Sequence, residues 1–204
     1  MNTTSSPRRQ SGTTLIEVLV TLLMLAFGLL GLGAFQTKAQ VGSIEAYHRA
    51  QAVVLLEDIQ GRMHGSTLAD VPLFVTTTPL GTGDDFAADV DCSLEAVGAN
   101  RDRCEWSRAL KGAAEVKTGS SGSSNIGAMT GARGCVTEVQ AMNNVRGVCS
   151  PGIYMVSVAW QGLHPIKTPS LACGKDLYGA DTHRRAIAVQ VTVGLPLCNP
   201  TPVN

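Results

Sequence analysis

The chain is poor in aromatic side chains, carries no net formal charge and lacks the short motifs that organise most enzyme chemistry. Phe, Trp and Tyr make up 4% of its 204 residues, while glycine occurs 22 times, which predicts a loop-rich folded part with a modest core. Acidic and basic side chains balance at 16 each, so no basic field draws nucleic acid and no nucleic-acid partner is expected. Absent too are the phosphate-cradling glycine loop, the His-Glu-x-x-His metal helix and the Gly-x-Ser-x-Gly nucleophile turn. His64, His164 and His183, with scattered Ser and Asp, are raw material for a triad, but no spacing organises them. Surface histidines in loops are the plainer reading, and a membrane-anchored hydrolase is the remote alternative. Asp84, Asp85, Asp89 and Asp91 are hard oxygen donors of the kind calcium takes, yet without EF-hand spacing a solvated loop is preferred. The chain is therefore expected to be no enzyme, with no catalytic residue, cofactor or metal.

Six cysteines are present, Cys92, Cys104, Cys135, Cys149, Cys173 and Cys198, all after a long hydrophobic run. No Cys-x-x-Cys occurs, so zinc and redox readings are weak. An even count in an exported domain argues for disulfides, with one or two buried, reduced thiols as the alternative. Connectivity stays open on sequence alone. Short loops close most easily, so the expected pairs are sequential, Cys92–Cys104, Cys135–Cys149 and Cys173–Cys198, each stabilising by about 2–4 kcal/mol.

From Val18 to Phe35 the chain is uncharged and apolar, near the lower limit of about 17–25 residues for a spanning helix. Arg8 and Arg9 precede it, which holds the N-terminus in the cytoplasm and sends the rest across. An ordinary secretory signal would be cut after the run, near Gly31-Leu32-Gly33-Ala34-Phe35. The competing reading places the cut before the run, between Gly12 and Thr13, and keeps the helix. One carboxylate, Glu17, sits at the start of the apolar segment; on insertion scales a charge at a helix centre costs about 2.5–3.5 kcal/mol, so an intramembrane acid calls for a function. A free amine on Thr13 would lie four residues before Glu17 and on the same helical face, cationic at neutral pH. The bland alternative is that Glu17 snorkels to the headgroups. Gly28, Gly31 and Gly33 each cost a helix about 1 kcal/mol relative to Ala, which predicts close approach of neighbouring helices or, more sharply, local unwinding on assembly.

The helix is expected to run on to Met63, from about Thr14, some 75 Å at 1.5 Å per residue. Val41, Ile44, His48, Ala52, Leu55, Leu56, Ile59 and Met63 recur at three- and four-residue steps, with Lys38, Gln40, Glu45, Arg49, Asp58 and Arg62 opposite. An apolar first half and an amphipathic second half describe a helix that leaves a membrane or filament core and packs one stripe on a domain. His48 reads as a core-edge residue. Gly65 and Pro72 end the helix. Residues 65–130 read as irregular, with a short helix over Asp102–Ala113 placing Trp106 and Leu110 on one face, and a flexible loop over Gly119–Gly127. Strands are predicted at Gly152–Gly162, with Tyr154, Val156, Val158 and Trp160 on one face, and at Arg185–Leu195, with Ile187, Val189, Val191 and Val193 on one face. A weaker strand is predicted at Arg133–Val139. The fold class is therefore α+β: a long N-terminal helix packed on a small antiparallel sheet.

The basic leader, Gly12, the Thr13-Thr14-Leu15-Ile16-Glu17 run and the apolar helix together resemble type IV pilins. Gly28-Leu29-Leu30-Gly31-Leu32, Gly134-Cys135-Val136 and the Tyr154-x-Val-x-Val-x-Trp-Gln-Gly162 pattern are similar to minor pilins of the pilus-modification class. The resemblance is strong over residues 8–36, moderate over 133–195 and thin between. It departs at Thr13, where pilins usually begin with Phe, and in the number of cysteines. It implies a leader 1–12 removed by prepilin peptidase, N-methylation of Thr13, a transmembrane and filament-core helix 13–35, an amphipathic continuation 36–64 and a periplasmic disulfide-containing domain 65–204. It further implies that Glu17 pairs with the N-terminal amine of a neighbouring subunit. The implied partners are other minor pilins, the major pilin, the inner membrane and a tip adhesin, in a complex that primes pilus assembly for adhesion and twitching motility. A minor pseudopilin of a type II secretion system would use the same cleavage and the same Glu17 chemistry.

Overall fold

Period-two alternation builds the sheet, and a change from all-round to one-sided hydrophobicity divides the helix. The computed structural model describes residues 12, 14–87, 89–113, 116–119, 122–125 and 129–198. Helix α1 spans Leu15–Gly65. The chain forms two compact units, the first ending at Ile44 and the second starting at Glu45. In the first, every described residue of α1 up to Gln40 is exposed, and the helix is unbroken through Gly28, Gly31 and Gly33.

In the second unit the one-sided stripe of α1 is buried: Ala52, Leu56, Ile59 and Met63 join one core with Val136, Tyr154, Val156, Val158, Trp160 and Val191. His48 is half-buried beside the stripe, and Ile44 is exposed. That core lies on one face of a four-stranded antiparallel sheet. Its strands are β1 (Leu80–Gly81), β4 (Arg133–Gln140), β5 (Gly152–Gln161) and β6 (Arg184–Val193), in the order β1-β4-β5-β6. Tyr154, Val156, Val158 and Trp160 face the helix, as their alternation predicts, and so do their cross-strand partners Val191, Val189, Ile187 and Arg185. The fold is thus α+β, a long N-terminal helix on a small antiparallel sheet, consistent with a pilin-like fold.

Helix α2 (Ala99–Leu110) begins three residues earlier than expected, because Gly98, at φ 109°, turns the chain into it. Trp106 and Leu110 are fully buried, and the Trp106 indole N–H donates to the Leu55 carbonyl at 2.9 Å. Gly134 on β4 lies beneath this ring: a Cβ there would sit 2.3 Å from Trp106 Cη2. Part of the expected Gly119–Gly127 loop is instead paired, since β2 (Val116–Gly119) and β3 (Gly122–Asn125) form an antiparallel ladder. Positions 120, 121, 126 and 127 lie outside the described residues. Strand β1, within a stretch read as turn, is only two residues long, too short for any periodic signal.

All six cysteines are disulfide-bonded, and two of the expected pairs are corrected. Cys92–Cys104 is present; Cys135 pairs with Cys173 and Cys149 with Cys198, in place of Cys135–Cys149 and Cys173–Cys198. Strand direction is the reason. Cys149 lies in the β4–β5 connection, at the Gln140/Gly152 end of the ladder, whereas Cys135 lies near the opposite end of β4, across from Ser157. Cys135 is five residue steps from Gln140, about 17 Å at 3.4 Å each, while a disulfide needs Cα atoms within about 7 Å. Cys198 follows β6 at the end where Val193 pairs with Gly152, so it meets Cys149; Cys173 lies in the β5–β6 connection at the other end and meets Cys135.

Arginines tie the connections down. Arg184, 1% exposed, donates from Nε and Nη2 to the Asp181 carboxylate at 2.7 and 2.8 Å, from Nη1 to the carbonyls of Leu171 and Cys173, and from Nη2 to Pro169. Arg185 forks onto Glu45 at 2.9 and 2.8 Å and donates to the His164 carbonyl. Arg62 on α1 joins Asp58 to Asp102 and Glu105 of α2.

Candidate functional site

Gly12 is exposed, and a Cβ on it would meet nothing within 4 Å. Among the described residues no packing demands glycine at this position. Thr13, the leader and Arg8 and Arg9 lie outside the described residues, so the expected Thr13 amine and its distance to Glu17 do as well. Thr14 precedes the first helical residue, and its Oγ1 accepts from the Glu17 N–H at 3.4 Å, alongside the 3.0 Å bond from the same N–H to the Thr14 carbonyl. Glu17 is thereby the third helical residue, where a carboxylate also favours the positive end of the helix dipole. The Thr-x-x-Glu spacing carries that capping signal, and the reading of Glu17 by charge cost alone passes it over.

The Glu17 carboxylate is exposed, with no partner side chain among the described residues. Around it Leu15, Ile16, Val18, Leu19, Val20, Leu22 and Leu23 are all exposed large hydrophobic side chains, and the pattern continues to Phe35. Such a surface is not stable against water: at about 25 cal/mol per Å² of apolar area, each Leu or Phe forgoes about 1.5–3 kcal/mol until something covers it. The glycines follow the same logic, since a Cβ at Gly28, Gly31 or Gly33 would meet nothing within 4 Å. α1 is long and apolar enough to cross a membrane.

The histidines considered for other chemistry lie at a helix end and in the β5–β6 connection. His64 is exposed in the last turn of α1, His164 is exposed in the β5–β6 connection and His183 precedes β6. Among the described residues no three His, Cys, Asp or Glu side chains are grouped to hold a metal ion. The acidic cluster is divided. Asp84 is almost fully buried, ion-paired with Lys111, and accepts from the Gly81 and Phe86 N–H groups and from Ser107 Oγ at 2.8, 3.2 and 2.6 Å. Asp91 caps a short 3-10 turn by accepting from the Ser93 N–H, and hydrogen bonds from Ser93 hold its carboxyl below the usual range. These carboxylates are spent on turns.

The chain is similar to the family described as the prokaryotic N-terminal methylation motif, whose model matches residues 7–33. No curated protein matches, and no solved structure matches. The matched segment contains Gly12, Thr13, Glu17 and most of the exposed apolar run. It supports a type IV pilin or pseudopilin in general, a structural class that is not enzymatic. The motif implies processing by a prepilin peptidase and assembly with other pilins, and with the apolar helix it fits a membrane-anchored precursor.

Proposed function

We propose that the chain is a minor pilin of a type IV pilus, of the kind called PilV, the pilus modification protein. In this reading prepilin peptidase removes residues 1–12 and the new Thr13 amine is methylated. Residues 13–35 hold the subunit in the inner membrane and then in the filament core, 36–64 continue as the amphipathic half of the helix, and 65–204 stand in the periplasm. With other minor pilins it primes assembly, remains at the tip and helps to display an adhesin. The observation that carries this is Glu17, an acid without a partner side chain among the described residues at the head of an otherwise uncharged, exposed apolar segment of α1 that runs to Phe35. A carboxylate there gains most from a cation brought by a neighbour, because pairing relieves the cost of burying either charge alone.

The test is mass spectrometry of the N-terminal peptide of protein taken from filaments sheared off cells. A peptide starting at Thr13 in the sheared fraction is expected. Thr13 as the first residue only in membranes would favour the type II secretion pseudopilin, and a chain starting after Phe35 would overturn the retained helix altogether.

A further inference from the structure

The free edge of β6 is unguarded. Gly162 N–H donates to the His183 carbonyl and the β5–β6 register continues that pairing, so Arg185, Ile187, Val189, Val191 and Val193 spend their backbone groups on β5. The N–H and C=O of Ala186, Ala188, Gln190 and Thr192 then point away from the sheet. Among the described residues no backbone group pairs with them, whereas the outward carbonyl of Thr182, just before the strand, accepts from Ile166. Exported edge strands are commonly blunted by charge, proline, a bulge or brevity. The other edge, β1, is two residues long; β6 between Ala186 and Thr192 reads Ala-Ile-Ala-Val-Gln-Val-Thr, with no charge and no proline.

Beside this edge lies a cavity of about 490 Å³, lined by Glu45, Arg49, Trp160, Ile166, Pro169 and Arg185 among others. Two of the lining side chains, both more than nine-tenths buried, hold donors with no acceptor: the Trp160 indole N–H and Arg185 Nη1. Arg185 places its other nitrogens on Glu45 and the His164 carbonyl, so Nη1 alone is left over. Arg49 is exposed at the rim and has no acidic partner at ion-pair distance among the described residues. A second groove continues along the same edge between Val53 and Glu57 of α1 and Ile187 and Val189 of β6.

We propose that the β6 edge and this cavity form a docking site for an extended strand of another protein that carries an acidic side chain. The backbone of the strand pairs with Ala186, Ala188, Gln190 and Thr192. Its side chains on the helix-facing side, about 6.8 Å apart, enter the two grooves in turn. The carboxylate accepts from Trp160 Nε1 and Arg185 Nη1, with Arg49 balancing its charge. The next side chain on that face is apolar and meets Val53, Ile187 and Val189.

The test uses the full-length protein in detergent micelles, labelled with nitrogen-15, and a synthetic acetyl-Thr-Val-Thr-Asp-Thr-Val-Thr-amide probe, whose Asp and Val side chains share one face, with its Asp→Asn counterpart. In the free protein, Ala186, Ala188, Gln190 and Thr192 amides are expected to exchange with deuterium fast while Ile187, Val189 and Val191 stay protected. The Asp peptide should move the Trp160 indole resonance, slow exchange at the outward amides and bind about tenfold tighter than the Asn peptide. Arg49→Gln, at an exposed helix position, should erase that preference. Ala188→Pro removes an outward N–H without breaking a bond to β5 and should weaken both peptides. Outward amides already protected in the free monomer would mean the chain covers its own edge. Protection that rises with protein concentration would mean a second copy does so. Either result overturns the proposal, as would a Trp160 resonance unmoved by millimolar peptide or equal binding of Asp and Asn peptides.

Discussion

Replacing Arg184 by Met should cost the second unit about 3–5 kcal/mol, the usual penalty for removing one member of a buried hydrogen-bonded charge group. The side chain is 1% exposed and satisfies three carbonyls and one carboxylate. Counting each of the five hydrogen bonds at about 1.5–3 kcal/mol would give about 7.5–15 kcal/mol, as much as the whole stability of an ordinary domain, about 5–15 kcal/mol, so the contacts are not additive and the lower figure governs. Met keeps the volume and removes every donor, leaving the oxygens of Pro169, Leu171, Cys173 and Asp181 to find water. The Cys135–Cys173 bond still tethers the middle of the segment, so disorder should spread from Cys173 towards Pro169 and Asp181 while the ladder survives. With the disulfides intact and a slope near 2 kcal/mol per molar urea, the midpoint should fall by about 1.5–2.5 M. Arg184→Lys keeps the charge but has no planar fork, and should recover only part of the loss. A fall of less than about 0.5 M for Arg184→Met would refute the view that this guanidinium holds the β5–β6 connection together. Ile166 and Pro169 wall the cavity beside β6, so the same variant should also weaken peptide docking there.

Gly134→Ala should destabilise by about 1–3 kcal/mol or more in the same assay, because the new methyl would overlap Trp106 and Leu110; a neutral result would mean that α2 moves freely over β4. Acid should loosen the second unit in a defined window. The Arg185 guanidinium holds the Glu45 carboxyl below its ordinary 4.5, so its contribution is complete above that value and is lost as pH falls through the lower folded value. Glu45→Gln should flatten part of that acid limb in a plot of urea midpoint against pH, and an unchanged limb would contradict the assignment. Gly12→Arg should leave urea stability unchanged and stop processing, read as retention of the full-length mass; continued removal of 12 residues would place the cut elsewhere. Glu17→Val should insert in the membrane normally but be depleted from sheared filaments relative to the unaltered protein, and equal incorporation would refute the charge-pairing argument.

The parts legible in the sequence were those with long, uninterrupted periods. The α1 stripe ending at Met63 and the alternation of β5 and β6 each repeat over enough residues to outweigh local noise; the expected faces are buried or half-buried from Ala52 to Met63 and along β5 and β6, while Ile44 at the start of the stripe is exposed. What failed was non-local. Sequential disulfides were favoured by loop length, yet doubling a loop costs only about 0.6 kcal/mol, far less than the geometry of a sheet imposes. Once β4, β5 and β6 are joined as antiparallel neighbours, the two ends of the ladder already sort Cys149 with Cys198 and Cys135 with Cys173. Arg184 and Arg185 begin β6, and alternation sends them to opposite faces, one into the β5–β6 connection and the other onto Glu45, partners that no periodic pattern marks.

The contrast between the two units is what gives the N-terminal segment its meaning. In the second, departures from local preference are repaid inside the chain: Gly134 makes room for Trp106, and Arg62, Arg184 and Arg185 all have acidic partners. In the first unit nothing is repaid. Gly28, Gly31 and Gly33 weaken a helix without admitting any neighbour, the apolar side chains from Leu15 to Phe35 touch no core, and Glu17 has a cap for its N–H but no partner side chain among the described residues. A helix with these properties is at a loss by itself in water, and lipid would cover the apolar side chains but neither fill the space above the glycines nor pair the acid. Another helix bearing a positive charge near its start does all three. This physical requirement, together with the methylation motif over residues 7–33, makes assembly with similar subunits the reading with fewest unexplained residues.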